Sequence, residues 1–309
     1  MSAPAVTSAP IPTDNLRAIG LIIASMALFT VEDVFIKSLS FHLPAGQIML
    51  MFASGGVVLF SALATFQRRR VFARANWRLL PLVRAGMEGV AAAAFFTAIA
   101  QADLSLVTAI FMAMPIAATI GAALFLKEKV GIVRWSAVIV GFLGVLLIVR
   151  PGMGAVDPGA LWVLVATIAV AARDLITRVM DANLPPAVVS AQAYLTVIPA
   201  GIAILALTDQ SARAPTGPEA LMALTGLSFG VLGYLAIVAA MRWGEPSAVT
   251  PLRYTRLIFA IIAGVVILGE RPDAPTLAGA ALITGAGLVI AMRERRLARR
   301  LAQQATARP

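Results

Sequence analysis

A chain of 309 residues that is 60% hydrophobic and 13% charged has more apolar surface than one water-soluble domain can bury, so much of that surface must face lipid. The formal net charge is +10, but the basic residues sit in short links between apolar runs and not on one water-facing surface, which excludes a nucleic-acid-binding module. With no cysteine and a single histidine, His42, disulfides, thiolate metal sites and histidine clusters are excluded as well; His42 reads as a loop residue.

Residues 1–16, rich in Ala, Pro, Ser and Thr, lack the apolar content to order themselves and are expected to form a disordered tail. The apolar run 18–30 does not read as a signal peptide, because only Arg17 precedes it and Glu32 and Asp33 follow where a small-residue cleavage site is needed. It is the first membrane helix. At about twenty apolar residues per crossing, ten segments emerge, at roughly 18–37, 45–66, 79–100, 105–126, 132–149, 160–179, 187–207, 219–241, 247–268 and 274–292. The short links make consecutive helices antiparallel neighbours. The expected fold is therefore an all-α, polytopic bundle of ten transmembrane helices with no soluble domain.

Orientation follows from the basic residues of the links. With the N-terminus inside, the inner links hold Arg17, Arg68, Arg69, Arg70, Arg74, Arg78, Lys127, Lys129, Arg134, Arg178, Arg242 and the arginines of the C-terminal tail, whereas the outer links hold Lys37, Arg150, Arg213 and Arg271. Both termini are expected to be cytoplasmic, in the inner membrane of a bacterial-type cell. The basic tail 293–309 reads as a topological anchor against anionic membrane lipids.

The chain is internally duplicated. SLVTAIFMAMPIAATIGAALFLKEK, residues 105–129, and SAVTPLRYTRLIFAIIAGVVILGER, residues 247–271, share a plan: Ser-x-Val-Thr, a long apolar run, then Leu-x-Glu and a basic residue. Ser105 pairs with Ser247, Thr108 with Thr250, and Glu128 with Glu270. Asp33 and Lys37 match Asp174 and Arg178, Leu43-Pro44 matches Leu184-Pro185, and Asp103 and Glu245 precede the paired motifs. A first repeat over 17–150 and a second over 151–292 each hold five of the expected helices. Because five is odd, the second must cross in the opposite sense, giving an inverted repeat of the kind that lets two halves rock around a central site.

These residues carry a resemblance. The chain is similar to the drug/metabolite transporter superfamily in its EamA branch, through MPIAATIGAALFLKEK and PLRYTRLIFAIIAGVVILGERPD, each followed by a Gly-containing helix, GFLGVLLIVRPG and GAALITGAGLVIAMRER. The resemblance covers 17–296 and implies a ten-helix transporter whose central cavity is formed mainly by helices 1, 3, 4, 6, 8 and 9. It implies a small organic solute such as an amino acid, vitamin or nucleotide-like metabolite, moved by alternating access, with export slightly favoured over import. One departure is visible: many relatives carry an arginine early in helix 2, and GQIMLMFASGGVVLF has none.

Ionisable groups inside the hydrocarbon cost at least about 2.5 kcal/mol each, so they tend to face a cavity or the bundle interior. At about 1.5 Å rise per residue, Glu88 and Arg256 lie roughly 13 Å into their helices, near the midplane, with Arg84 and Arg253 about one turn shallower. Glu32, Asp33, Arg173 and Asp174 sit nearer helix ends, within reach of headgroups or water. Arg84 and Glu88, four apart, can neutralise each other on one face. Alternatively, Arg256 and Glu88 form a polar floor for a zwitterionic or anionic solute, the guanidinium fork matching a carboxylate or phosphate. Arg253 and Tyr254, after the helix-breaking Pro251, add donors, although Arg253 could also snorkel. Glu88, and with it Asp33, is the candidate for a carboxylate that carries a coupling proton. Pro115 should kink helix 4 beside the cavity, next to Phe111. Phe95, Phe96, Phe111, Trp162, Tyr194, Phe229 and Tyr234 either stack on a solute or fill the core. Gly55-Gly56, Gly121, GFLG and GAG permit close helix packing, and a homodimer is a candidate assembly.

Other classes are weaker. No G-x-x-x-x-G-K-[ST] loop or soluble domain supports an ATP-driven pump. Nothing supplies a nucleophile with a base or a metal, so an intramembrane enzyme is disfavoured and no cofactor or metal is implied. A lipid-head-group flippase remains the alternative within transport.

Overall fold

A chain dissolved in hydrocarbon must satisfy its backbone polar groups internally, and the elements found are helices connected by short links. The computed structural model describes residues 14–73, 76–128, 130–152, 157–180, 185–244 and 249–306. Most of the expected tail lies outside the described residues, as do Arg74, Lys129, Leu184, Glu245 and Ser247.

The first helix, α1, runs Asn15–Ser40, so helix already includes residues 15 and 16 of the expected tail; Asp14 caps it by accepting from the Arg17 N–H at 3.0 Å. There follow α2 (Ala45–Phe66), α3 (Leu79–Gln101), α4 (Leu104–Phe111), α5 (Met114–Phe125), α6 (Ile132–Val149), α7 (Pro158–Val179), α8 (Pro186–Leu207) and α9 (Gly217–Trp243). A 3-10 turn, Thr250–Tyr254, leads into α10 (Thr255–Val266), and α11 spans Ala274–Thr306.

The kink expected at Pro115 interrupts the helix for two residues, Met112 and Ala113, between α4 and α5. Pro115 cannot donate to the Phe111 carbonyl; the chain turns tightly instead, Ala113 N–H donating to Ile110 at 2.9 Å, and Pro115 opens the first turn of α5. Among the described residues nine stretches, with Leu104–Phe125 taken as one, are long and apolar enough to cross a membrane. The remaining apolar stretch is divided: Pro251 starts the tight 3-10 turn, which leaves α10 with 12 residues.

The helices pack in a pattern that follows the repeat. α1 lies against α9 and α3 against α7, while α2 pairs with α8, α4 with α10, and α6 with α11. Exchanging the halves turns the first pair into the second and maps each of the others onto itself. Such a contact pattern is that of two repeats about a pseudo-two-fold axis, and it gathers α1, α3, α7 and α9 around the centre.

One of the paired crossings depends on a glycine from each helix. A Cβ at Gly144 would lie 2.7 Å from the Gly279 carbonyl oxygen, and one at Gly279 2.6 Å from that of Gly144, so α6 and α11 touch backbone to backbone. At Gly285, by contrast, a Cβ would meet nothing within 4 Å. Gly144→Val is expected to destabilise by about 1–3 kcal/mol, the common cost of overpacking, and to lower Tm in a thermal melt; Gly285→Ala should not lower it.

Candidate functional site

The central helices enclose a cavity of about 790 Å³. Pro115 and Phe111 line it at the break between α4 and α5, and Phe111 meets Phe95 with ring centroids 4.8 Å apart. Phe60 closes another wall, stacked on Tyr194 at 5.4 Å and edge-on to Tyr234 at 5.3 Å. Tyr194 fits because Gly56 leaves its ring room. Phe96 also lines the cavity, whereas Phe229 stacks on Phe35. Residues of α2, α8 and α11 share the lining, so more helices contribute than the six the resemblance emphasised.

Every ionisable residue singled out from the sequence faces this space: Asp33, Arg84, Glu88, Arg253 and Arg256, with Tyr254 beside them. Their pairing differs from the simplest expectation. Arg256 donates to Asp33 at 2.7 Å, with side chains 15% and 2% exposed, and lies over the Phe29 ring at 5.4 Å. Glu88 accepts from Arg173 Nη1 at 2.9 and 3.0 Å, while Arg84 stands 3.7 Å away. Arg173 also donates to Asp174 at 2.8 and 3.0 Å, and Arg84 donates to the Thr177 hydroxyl at 3.2 Å. Arg84 and Glu88 therefore belong to a four-member network that bridges α3 and α7.

Depth along the helix undervalued three residues. Glu32, Arg173 and Asp174 line the cavity together with the residues ranked deeper. α1 extends to Ser40, which puts Glu32 about 12 Å inside its end. The usable signal was the repeat, because Asp174 is the counterpart of Asp33. Glu32 makes no hydrogen bond or ion pair among the described residues; its carboxylate rests against Gly230, where a Cβ would overlap it.

The two ends of the cavity are unlike. At one end Lys37 Nζ donates to the Ile99 and Ala102 carbonyls, both at 2.8 Å, capping the C-terminus of α3. Glu270 accepts from the Leu104 and Ser105 N–H groups at 2.5 and 3.1 Å and from the Ser105 hydroxyl at 2.7 Å, capping the N-terminus of α4. Burial, followed by the nearby Glu270 carboxylate, pushes the Asp103 carboxyl up, with Lys37 opposing. Outside this seal Arg150 pairs with Asp273, and that hydrogen bond holds the Asp273 carboxyl down to about 2. At the other end the repeat counterparts Arg178 and Glu128 stand 3.8 Å apart, 53% and 43% exposed, and both line the cavity. The lining thus includes the half-exposed pair at this end, whereas Lys37 and Glu270, buried at the other end, lie outside it. His42 is a loop residue whose carbonyl accepts from Arg213 at 3.3 Å.

The comparisons with known proteins fit this geometry. The EamA-like transporter family matches residues 16–150 and again residues 157–292. An S-adenosylmethionine uptake transporter of Rickettsia bellii is 28% identical over 63% of this chain and 66% of its own length, just under two thirds. A riboflavin transporter of Vibrio cholerae is 30% identical over 57% of this chain and 58% of its own, and one of Rhizobium johnstonii is 27% identical over 92% and 93%. A crystal structure 18% identical superposes with a TM-score of 0.59 over 91% of this chain and 98% of that one, a likeness of fold.

Proposed function

This chain belongs to the EamA-like transporter family, and from that premise we propose that it is a secondary carrier of a small polar organic metabolite, working by alternating access in the cytoplasmic membrane. It is a multi-pass membrane protein and not an enzyme. The divided stretch Thr250–Val266 is read as the ninth of ten crossings, which brings both termini to the cytoplasmic side and inverts the second repeat. The observation that carries the reading is the charged cavity at the pseudo-two-fold, sealed by Lys37 and Glu270 and reached past Arg178 and Glu128. Arg134, Arg178 and Arg242 put the open end at the cytoplasm by the distribution of positive charge.

Within the cavity, Arg256 with Asp33, and Arg173 with Glu88 and Asp174, form the polar floor, and Arg84, Arg253 and Tyr254 surround it. Phe111 and Pro115 shape the wall opposite. S-adenosylmethionine and riboflavin, for which relatives are named, set the size class of the solute. The family resemblance slightly favours export, whereas a relative is named for uptake; a secondary carrier runs in whichever sense its gradients dictate.

Coupling to protons would use Glu88 or Asp33. Each now shares an ion pair with arginine, so taking up a proton must release Arg173 or Arg256. The test is flux into proteoliposomes loaded with S-adenosylmethionine, riboflavin, nucleosides or amino acids. Glu88→Gln is expected to retain solute exchange and to lose dependence on an imposed pH gradient; a variant still driven by that gradient removes Glu88 from the coupling role.

A further inference from the structure

The charged groups of the cavity can be paired off until two remain. Asp33 is matched by Arg256; Glu88 and Asp174 are matched by Arg173 and Arg84; Glu128 is matched by Arg178. Arg134, at the mouth, is engaged by a partner. Glu32 and Arg253 alone among these lining residues make no ion pair or side-chain hydrogen bond within the described residues, and they are of opposite sign.

Their placement is not scattered. Glu32 precedes Asp33 on α1, and Arg253 precedes Arg256 by three residues on the 3-10 turn, an element that packs against α1. These two ionisable groups without partners among the described residues thus stand beside the Asp33–Arg256 pair, Glu32 on the helix that carries Asp33 and Arg253 on the turn that leads into the helix of Arg256. Gly230 on α9 leaves the space into which the Glu32 carboxylate projects.

We propose that Glu32 and Arg253 are the two recognition groups of the cavity and that its solute is a zwitterion. Arg253 takes the solute's carboxylate and Glu32 its ammonium or sulfonium centre; the apolar or ring portion lies on the wall of Phe60, Tyr194 and Tyr234. The physical reason is charge balance. An ionisable group without a counter-ion gains from an opposite charge brought to it; a zwitterion supplies both at once, an anion or a cation supplies one, and a neutral solute supplies neither. This inference rests on the carrier reading and narrows it from small polar metabolites to those bearing both charges.

The test uses the purified full chain in nanodiscs and in proteoliposomes. Probes are S-adenosylmethionine, L-phenylalanine, phenethylamine, 3-phenylpropanoate and riboflavin, read by thermal shift, by binding affinity and by flux. At least one zwitterion is expected to raise Tm, and riboflavin is not. For a zwitterion that binds, Glu32→Gln and Arg253→Gln should each weaken Kd by about tenfold to a hundredfold, the worth of one charge-assisted contact. Gly230→Ala, which displaces the Glu32 carboxylate without removing its charge, should weaken it too, with the unliganded Tm of the three variants reporting that the fold is kept. Riboflavin binding and crossing while both zwitterions are silent overturns the solute class and leaves the carrier standing. Zwitterion affinity unchanged in both glutamine variants overturns the residue assignment. Neither binding nor flux from any probe overturns the zwitterion reading, and failure of the wider flux panel as well overturns the carrier.

Discussion

Arg256→Ala is expected to abolish solute binding and to lower stability by about 3–5 kcal/mol, the usual cost of stranding one member of a buried ion pair. Asp33 is 2% exposed and, among the described residues, its one ion-pair partner is Arg256, at 2.7 Å. Without the guanidinium, its carboxylate is left at the heart of the bundle. The double variant Asp33→Asn/Arg256→Gln removes both charges and is expected to recover most of the stability and none of the transport. Thermal melts and proteoliposome flux on the same preparations separate the two effects. Wild-type affinity in Arg256→Ala would remove this guanidinium from the site, and a double variant as unstable as the single one would show that the ion pair itself, and not only the relief of a stranded charge, holds α1 to α10.

The second large effect is expected at the sealed end. Lys37→Met leaves the Ile99 and Ala102 carbonyls without their donor, and Glu270→Gln weakens acceptance from the Leu104 and Ser105 N–H groups. Helix ends buried without partners are unfavourable, so each change favours separation of α1 from α3 and of α4 from the link before α11. Flux is expected to fall at least about tenfold, a shift that 1.4 kcal/mol between two conformers suffices to produce. The chain has no cysteine, so Ala92→Cys, a cavity position, gives a clean reporter. Its labelling by an impermeant thiol reagent from the outside should rise in Lys37→Met. Equal labelling with and without Lys37 would mean that this lysine is structural and does not govern access.

Much of this was readable in the residues. The offset that aligns Ser105 with Ser247 and Glu128 with Glu270 announced two repeats, and the contact pattern of α1 with α9 and α3 with α7 has the exchange symmetry those repeats require. Arg256 and Glu88 were singled out by depth, and both face the cavity. What depth could not supply was partnership. Arg84 and Glu88 are neighbours on one helix, yet Arg173, 85 residues away in sequence, holds Glu88 more closely. Spacing within a helix reports such local neighbours only; the pairing across α3 and α7 is a property of the assembled bundle. Pro115 was legible as a disturbance, but whether a proline bends or breaks a helix depends on what packs against the freed turn. Glu32 was undervalued because ranking by depth assumes that helix ends meet water, and α1 continues well beyond the acidic pair.

The unlike ends of the cavity have a further consequence. The C-cap of α3 at Ala102 (φ −126°, ψ 166°) and that of α9 at Gly244 (φ −112°, ψ 158°) have nearly the same backbone shape. Lys37 donates to the carbonyl of the first cap, whereas its repeat counterpart Arg178 stands beside Glu128. On the carrier reading proposed above, resting preference for one side of the membrane would lie in the difference between these two ends, and choice of solute in the groups between them. A lineage could then reverse the habitual posture of such a carrier at one helix end and leave its cargo untouched.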